Sequence, residues 1–149
     1  MKNSELFWNI KKNMERYRFI VNRTSECLNK NDSSAQCAMS RYNLENFDEI
    51  LNSNPEELDD EVDEKELKDL EERIDYYFSL HASDDEEFKE FIKMISEYLI
   101  FIAKKPLHPP GIEFSDGNTV YKKGDSYHCT GKRVYIKEKN SICKHCIAQ

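Results

Sequence analysis

The stretch Lys104-Lys105-Pro106-Leu107-His108-Pro109-Pro110-Gly111 separates two parts of the chain that differ in hydropathy period. It holds three of the four prolines, and proline interrupts helices because it lacks a backbone donor and clashes with the preceding turn. Before this stretch, apolar residues recur at helical spacing, whereas after it they fall in short extended runs. The sequence therefore predicts a mainly α fold: a four-helix bundle-like body (residues 1–103) and a small β-hairpin tail (residues 104–149).

Two helices are predicted in the first half of the body. The first begins behind Ser4 as its N-cap, and its buried stripe comprises Phe7, Ile10, Met14, Tyr17, Val21, Thr24 and Leu28. The polar run Asn31-Asp32-Ser33-Ser34 interrupts the pattern. A second helix follows, with the apolar residues Met39, Tyr42, Phe47, Ile50 and Leu51.

Two further helices are predicted from capping patterns. Asn54-Pro55-Glu56-Glu57 combines a cap residue, a proline at the first helical position and an early glutamate. The inner face of that helix would hold Leu58, Val62, Leu67, Leu70, Ile74 and Tyr77 or Phe78. Ser83-Asp84-Asp85-Glu86 repeats the capping pattern before a stripe of Phe88, Phe91, Ile92, Ile95, Leu99 and Ile102. Four amphipathic helices with short links bury their faces most simply as a bundle.

The tail is predicted to contain short strands joined by turns. The extended runs are Ile112-Glu113-Phe114, Thr119-Val120-Tyr121, Ser126-Tyr127-His128 and Val134-Tyr135-Ile136. The tail has few large apolar side chains, so hydrophobic burial alone would leave it marginally stable. A bound metal ion would supply the missing stabilisation.

Charge is distributed unevenly along the chain. Residues 55–103 carry 5 basic and 18 acidic side chains, whereas residues 104–149 carry 9 basic and 4 acidic ones. The acidic middle segment reads as a solvated helix face, and the basic tail could contact an anion. The N-terminus lacks the apolar segment of an export signal, and the longest apolar run is Tyr98 to Ala103. These features predict a cytoplasmic protein that neither crosses nor binds a membrane.

Three of the five cysteines lie in the last twenty-one residues, as Cys129, Cys143 and Cys146. An odd number of cysteines in a cytoplasmic chain predicts reduced thiols rather than a disulfide framework. The Cys143-Lys144-His145-Cys146 step lets two thiolates converge on one ion, and Cys129 supplies a third. The alternative is that these cysteines are small buried hydrophobic residues without chemistry. The sequence favours the metal site, with zinc as the ion.

The fourth ligand is less strongly specified. His108 lies in a proline-rich segment that limits backbone freedom and holds the imidazole in place at low entropic cost. Cys37, His145 or an open coordination position are the alternatives. His128 and His145 adjoin the cysteines, which tends to direct their rings away from the ion, and Cys27 falls on the buried stripe of the first helix. The predicted metal ligands are therefore Cys129, Cys143, Cys146 and His108.

The tail also resembles a known family on three motifs. These are Leu107-His108-Pro109-Pro110-Gly111-Ile112-Glu113-Phe114, Tyr127-His128-Cys129 and Cys143-Lys144-His145-Cys146-Ile147-Ala148-Gln149. They are similar to the tail of an uncharacterised family of methanogenic archaea, catalogued as domain of unknown function 2115. His145 stands where the family has phenylalanine. The resemblance implies a small cytoplasmic archaeal protein with no established activity.

Three functions are compatible with the sequence, and whether the protein is an enzyme stays open. The first is a structural zinc site whose basic tail binds a macromolecular partner, most simply another protein. The second is a metalloenzyme or an iron–sulfur redox protein with an open coordination position, although the glutamate pattern of zinc deaminases is absent. The third is nucleic-acid binding through the tail, which the acidic middle segment opposes. Its residues would be Lys122, Lys123, Lys132, Arg133, Lys137, Lys139 and Lys144, with Tyr121, Tyr127 and Tyr135.

Overall fold

The computed structural model describes residues 1–24, 26–27, 34–55 and 58–149. As predicted, the fold is mainly helical and carries a two-stranded antiparallel sheet near the C-terminus. The helices are α1 (Asn3–Met14), α2 (Arg18–Thr24), α3 (Ala35–Asn52), α4 (Glu64–His81), α5 (Glu86–Glu97) and α6 (Lys132–Tyr135). A 3₁₀ turn, Glu15–Tyr17, joins α1 to α2, a π-helical stretch, Tyr98–Ala103, extends α5, and a second 3₁₀ turn spans Ile142–Lys144.

The first predicted helix corresponds to α1, the 3₁₀ turn and α2, but Ser4 is not its cap. Helix α1 begins at Asn3, and its N-cap residue Lys2 makes no side-chain cap. The backbone N–H of Asn3 instead donates to the Asp60 carbonyl at 2.8 Å, and Oδ1 of Asn3 accepts from the backbone N–H of Asp60 at 3.0 Å. The first of these bonds satisfies one of the free N–H groups at the start of the helix. Leu28 lies outside the described residues.

The long helix predicted to begin at Asn54-Pro55 begins later in the chain. Pro55 itself is 3₁₀-helical, and its carbonyl accepts from the N–H of Leu58 at 3.1 Å. Helix α4 begins at Glu64 behind Asp63, whose carboxylate accepts from the backbone N–H groups of Lys65 and Glu66. Residues 58–62 run beside the N-terminus, where the N–H of Val62 donates to the Met1 carbonyl at 2.8 Å. Leu58 and Val62 therefore reach the core from an extended segment rather than from a helix face. Glu56 and Glu57 lie outside the described residues.

The other two helices begin near their predicted positions. The Ser34 side chain accepts from the backbone N–H of Cys37 and caps α3. The cap of α5 is Asp85, which accepts from the N–H of Phe88, rather than Ser83. Carboxylate caps suit this role because they also face the positive end of the helix dipole.

The hydrophobic core lies between α1, α3, α4, α5 and the π-helical stretch. Its largest fully buried side chains include Phe47, Phe91, Ile10, Met14, Ile20, Ile50, Leu70, Ile74 and Leu99. Most of these positions belong to the apolar stripes of the sequence, so burial of those stripes accounts for the helical packing. Within the described part of the chain, no helix is both long and apolar enough to cross a lipid bilayer.

The tail sheet consists of β1 (Val120–Lys123) and β2 (Ser126–Cys129), with Val120 opposite Cys129 and Tyr121 opposite His128. Gly124 forms the turn with a positive φ of 62°, a conformation that glycine adopts without steric cost. Glu113 forms an isolated bridge with Thr119, so the first predicted strand contributes one residue pair.

The predicted strand Val134-Tyr135-Ile136 is wrong. Its first two residues end α6, and Ile136 follows as the C-cap of that helix. The N–H groups of Tyr135 and Ile136 donate to the carbonyls of Gly131 and Lys132. Local helical bonds therefore satisfy the backbone where the sequence predicted a short extended run.

The tail packs on the helical body. Tyr42 of α3 donates its hydroxyl hydrogen to the Pro106 carbonyl at 2.6 Å, and Arg73 of α4 donates to the Ser141 carbonyl at 2.9 Å. Leu107 belongs to the core, and Ile142 packs against it. The body thus holds the tail at both ends. The division into independent units at residue 103 stays a prediction.

Cys27 and Cys37 form a disulfide, which corrects the expectation that all five thiols are reduced. Both sulfur atoms are used in this bond, so Cys37 is removed from the candidates for the fourth metal ligand. The free cysteines are Cys129, Cys143 and Cys146.

Candidate functional site

All four predicted metal ligands line one cavity within the tail. Cys129, Cys143, Cys146 and His108 border a space of about 30 Å³, together with residues that include Val120. A cavity of this size holds one water molecule or one ion, since a water requires roughly 10–15 Å³ on the same measure. The tail therefore brings three separate segments of the sequence to one small space.

The hairpin decides which side chains of β2 reach the cavity. Side chains alternate between the two faces of a strand, and Val120 and Cys129 form an opposed pair that lines the cavity. On the other face, the ring of His128 stacks on Tyr121 with centroids 5.1 Å apart. The histidine next to Cys129 thus faces away from the cavity, as its position in the sequence suggested.

Cys143 lies on the 3₁₀ turn Ile142–Lys144, and Cys146 follows just after it. Ser141 caps this turn by accepting from the N–H of Cys143 at 3.2 Å, and the N–H of Cys146 donates to the Cys143 carbonyl at 3.2 Å. The backbone N–H of Leu107 donates to Sγ of Cys146 at 3.3 Å. Burial raises the pKa of the Cys146 thiol, while this backbone donor and the Lys132 charge oppose the increase.

His145 points away from the cavity and into the helical body. Its side chain is buried, with Nε2 2.7 Å from Oδ2 of Asp69 and Nδ1 3.3 Å from Oε1 of Glu66. Asp69 also accepts from Nε of Arg73 at 2.7 Å. Together, His145 and Arg73 lower the pKa of Asp69 to about 2. The residue inside the Cys-x-x-Cys step therefore anchors the tail to α4 and is not a candidate ligand.

His108 also lines the cavity. Its ring meets the ring of Phe114 edge-on, with centroids 5.0 Å apart. Burial lowers the pKa of His108, because a desolvated imidazole resists protonation. A neutral imidazole is the form that binds a metal ion.

Lys132 places a positive charge beside the thiols. It lines the cavity, and its ammonium donates to the carbonyls of Cys146 and Ala148 at 2.7 Å each. The N–H of Gln149 donates to the Tyr127 carbonyl, and the Gln149 carbonyl accepts from the N–H of Cys129, each at 2.9 Å. These two bonds fix Gln149 beside Cys129. Thiolates formed here would lie close to a compensating cation.

The four side chains surround the cavity without having closed on a common point. In the portions of the chain that the structure describes, no three His, Cys, Asp or Glu side chains are gathered closely enough to hold a metal ion. The cavity-lining residues include the three thiols and one imidazole but no carboxylate. The geometry therefore provides sulfur and nitrogen ligands around an ion-sized space, with no carboxylate among the described residues that line it.

Two residues of this region were missed by sequence reasoning. Asp69 belongs to an acidic run that was interpreted as a solvated face, and Lys132 was assigned to a nucleic-acid surface. Their roles depend on which face of α4 packs against the tail and on the position of the Cys146 and Ala148 carbonyls. A one-turn spacing of Glu66, Asp69 and Arg73 was the available signal for a shared helix face.

The fold and the cavity define a small helical protein with a cysteine-lined C-terminal tail. The chain belongs to the DUF2115 family, described as an uncharacterized protein conserved in archaea, which matches residues 2–149. The resemblance found in the tail is thereby confirmed and extends to the helical body.

Relatives of the chain come from methanogens. It is 36% identical over 113 residues to a UPF0305 protein of Methanocaldococcus jannaschii, covering 75% of the chain and 68% of the relative. It is 37% identical over 102 residues to a UPF0305 protein of Methanococcus maripaludis, covering 68% and 62%. A third, from Methanothermobacter thermautotrophicus, is 30% identical over 88 residues, covering 58% and 54%. No solved structure matches the chain.

Proposed function

We propose that the tail is a structural zinc site in which Cys129, Cys143 and Cys146 bind the ion as thiolates and His108 completes the tetrahedron. The observation that carries this proposal is that all four side chains border one cavity of about 30 Å³. Zinc prefers four nitrogen and sulfur ligands, at roughly 2.3 Å for sulfur and 2.0–2.1 Å for nitrogen. Ion binding would draw the four side chains inward by rotation about their side-chain bonds.

The surroundings of the cavity suit thiolate ligands. The N–H of Leu107, 3.3 Å from Sγ of Cys146, is the kind of backbone donor that stabilises a metal-bound sulfur. Three thiolates around Zn²⁺ leave one net negative charge, and the Lys132 ammonium lies beside them. The site would therefore be electrically balanced without another ligand.

A structural role is favoured over a catalytic one. Four protein ligands fill the tetrahedron and leave no position for substrate. Among the described residues that border the cavity there is no carboxylate to act as a general base. Glu113, the nearest carboxylate to His108 in the sequence, lies on the exposed bridge with Thr119. The ion would thus fix the tail, whose hydrophobic core is small.

The fixed tail would present an exposed surface to a protein partner. Helix α6 and the residue after it expose Val134, Tyr135 and Ile136 to solvent. Arg133, Lys137 and Lys139 adjoin them in the sequence and are also exposed. Val134 and Ile136 are aliphatic and do not stack on bases, so with the basic rim they suit an acidic protein surface better than a nucleic acid.

The zinc proposal is tested by elemental analysis of the full chain purified without added metal, beside Cys143→Ser and His128→Ala. We expect about one zinc per chain in the wild type and in His128→Ala, and far less in Cys143→Ser. His128 is a matched control because it adjoins Cys129 but faces away from the cavity. A protein that contains no zinc and does not bind added zinc would overturn the proposal. Bound iron with visible absorption would instead assign the site to an iron–sulfur cluster.

The partner class is tested with the zinc-loaded chain and a fluorescent single-stranded oligonucleotide. We expect no binding at physiological salt. Binding that weakens steeply as salt is raised would instead assign the basic tail to phosphate contacts.

A further inference from the structure

A second cleft lies on the opposite part of the molecule, in the helical body. It has a volume of about 380 Å³ and runs between α1, the Glu15–Tyr17 turn and α5, with Glu71 of α4 at one side. Leu6, Ile10 and Met94 give it an apolar wall. This volume falls in the range of small-molecule sites, roughly 300–1,000 Å³.

A buried carboxyl group faces this cleft without a partner. Glu97 lines the cleft and is only 8% exposed. Within the described part of the chain, no hydrogen bond or ion pair reaches its carboxyl group. Burying a carboxylate without compensation is costly, so the position is unfavourable for the empty protein. A ligand that supplies a donor would remove that cost.

The charged neighbours of Glu97 do not supply the missing partner. Glu71 and Glu90 also line the cleft and add negative charge. Lys93 lines it too, but its ammonium is already paired, lying 2.6 Å from Oδ1 of Asp75 and 3.6 Å from Oε1 of Glu90. Burial, with Glu71 adding to it, raises the pKa of Glu97 to about 8.

The remaining polar residues that line the cleft are Asn9, Asn13, Arg16 and Tyr17. Arg16 is exposed and donates to Oδ1 of Asn13 at 3.1 Å. Tyr17 is buried, and its ring packs on Phe91 with centroids 6.1 Å apart. The interior of the cleft therefore combines an apolar wall with the buried Glu97 carboxyl group, which has no hydrogen-bond or ion-pair partner among the described residues.

We propose that this cleft binds a short aliphatic amine, with an ammonium group at Glu97 and its methylene chain along Leu6, Ile10 and Met94. A second ammonium group of a diamine would lie near Glu90 or Glu71. The described residues include no group of three or more carboxylates or other ligands that could hold a metal ion. An organic cation satisfies the observations better because it brings both donors and an apolar chain.

Binding releases a proton wherever Glu97 is protonated in the free protein. The charged groups that face it are Glu71 from α4, Glu90 and Lys93 from α5, and Arg16 from the 3₁₀ turn. Below the pKa of about 8, the carboxyl group must lose its proton to pair with ammonium. Affinity therefore rises with pH up to about 8, by up to about tenfold per unit.

The test is isothermal titration of the full chain with 1,4-diaminobutane, and with 1,4-butanediol as the uncharged probe of matched length. We expect the diamine to bind, the diol not to bind, and the heat at pH 7 to depend on the ionisation enthalpy of the buffer. Equal behaviour of diamine and diol would overturn the proposal.

Variants make the assignment specific. Glu97→Gln preserves size and hydrogen bonding but removes the charge, so we expect binding weaker by about tenfold to a hundredfold. Glu87→Gln is the matched control, because Glu87 is exposed on the same helix and does not line the cleft. Unchanged diamine affinity in Glu97→Gln, with folding confirmed by circular dichroism, would exclude Glu97 as the binding group. Both titrations are independent of zinc in the tail.

Discussion

His145 lies in the middle of the Cys-Lys-His-Cys step, yet its Nε2 is 2.7 Å from Oδ2 of Asp69 on α4. The same carboxylate accepts from Arg73, which in turn donates to the Ser141 carbonyl. A single aspartate of the helical body thus connects to both sides of the turn that carries Cys143. The geometry of the candidate metal site depends on this attachment.

Replacement of Asp69 by Asn should loosen the tail. The carboxylate is 37% exposed, so solvent screening limits the loss in free energy of unfolding to about 1 kcal/mol. Hydrogen exchange should increase over residues 141–149 more than in the helices. Glu72→Gln is the control, since Glu72 lies on the same helix and makes only an exposed 4.0 Å contact with Lys68. Unchanged hydrogen exchange in the tail of the Asp69→Asn variant would show that the contacts of Asp69 do not stabilise the tail.

Acid should weaken the same attachment. Asp69 has a folded pKa of about 2, below its ordinary value of 3.8, because His145 and Arg73 favour the charged form. Its contribution to stability is therefore present above about pH 4 and is lost as pH falls through that window toward 2. Comparing acid unfolding of wild type and Asp69→Asn measures this, because the difference between the two should shrink as pH is lowered. A constant difference from pH 6 to pH 2 would contradict the attribution.

Histidine 108 should be the histidine on which zinc affinity depends. His108→Ala removes the proposed fourth ligand, so the zinc affinity should fall by at least about tenfold. His128→Ala should leave it unchanged, because that ring stacks on Tyr121. Competition with a chromophoric chelator gives both affinities. Equal affinities in the two variants would leave the fourth position to another ligand.

Tyr42→Phe should weaken the attachment of the start of the tail to the helical body and so lower the stability of the protein. The hydroxyl donates to the Pro106 carbonyl at 2.6 Å inside the protein, and its loss leaves a buried acceptor unpaired. The expected cost is about 1–3 kcal/mol in the free energy of unfolding. Tyr77→Phe is a control on an exposed ring of α4. Urea unfolding followed by circular dichroism measures both, and identical midpoints would show that the buried bond contributes nothing.

The sequence predicted the elements whose information is local. The stripes containing Phe47 and Phe91 indicated helices, because one buried face suffices to explain a 3.6-residue period. The start of α4 was mistaken because Asn54-Pro55 has the chemistry of a helix N-terminus. Pairing of residues 60–62 with the first three residues of the chain is non-local and leaves no periodic signal. The pattern Asp63-Glu64-Lys65-Glu66 was the better local cap.

The candidate site was predictable to the extent that it depends on spacing. Cys143 and Cys146 approach one another by turn geometry, and the rigid segment around His108 indicated a second contributor. The sequence indicated that His145 points away from the ion. It could not identify Asp69 as the partner of His145, because Asp69 is one of many carboxylates on an acidic helix. The Cys27–Cys37 disulfide was missed because an intracellular setting was inferred first, and that inference favoured free thiols.

Stability near neutral pH should depend on Glu97. Burial raises its pKa from 4.5 to about 8, so the folded state holds a proton that the unfolded state releases. The resulting stabilisation is complete below about pH 4.5 and is lost as pH rises toward about 8, at up to about 1.4 kcal/mol per unit. Glu97→Gln carries no such proton, so its free energy of unfolding should vary less over this window and exceed that of the wild type at pH 9. Urea unfolding at several pH values, with Glu87→Gln as the control, measures the effect. Parallel profiles for wild type and Glu97→Gln would show that this carboxyl group titrates normally and that the cleft lacks the uncompensated charge on which amine binding depends.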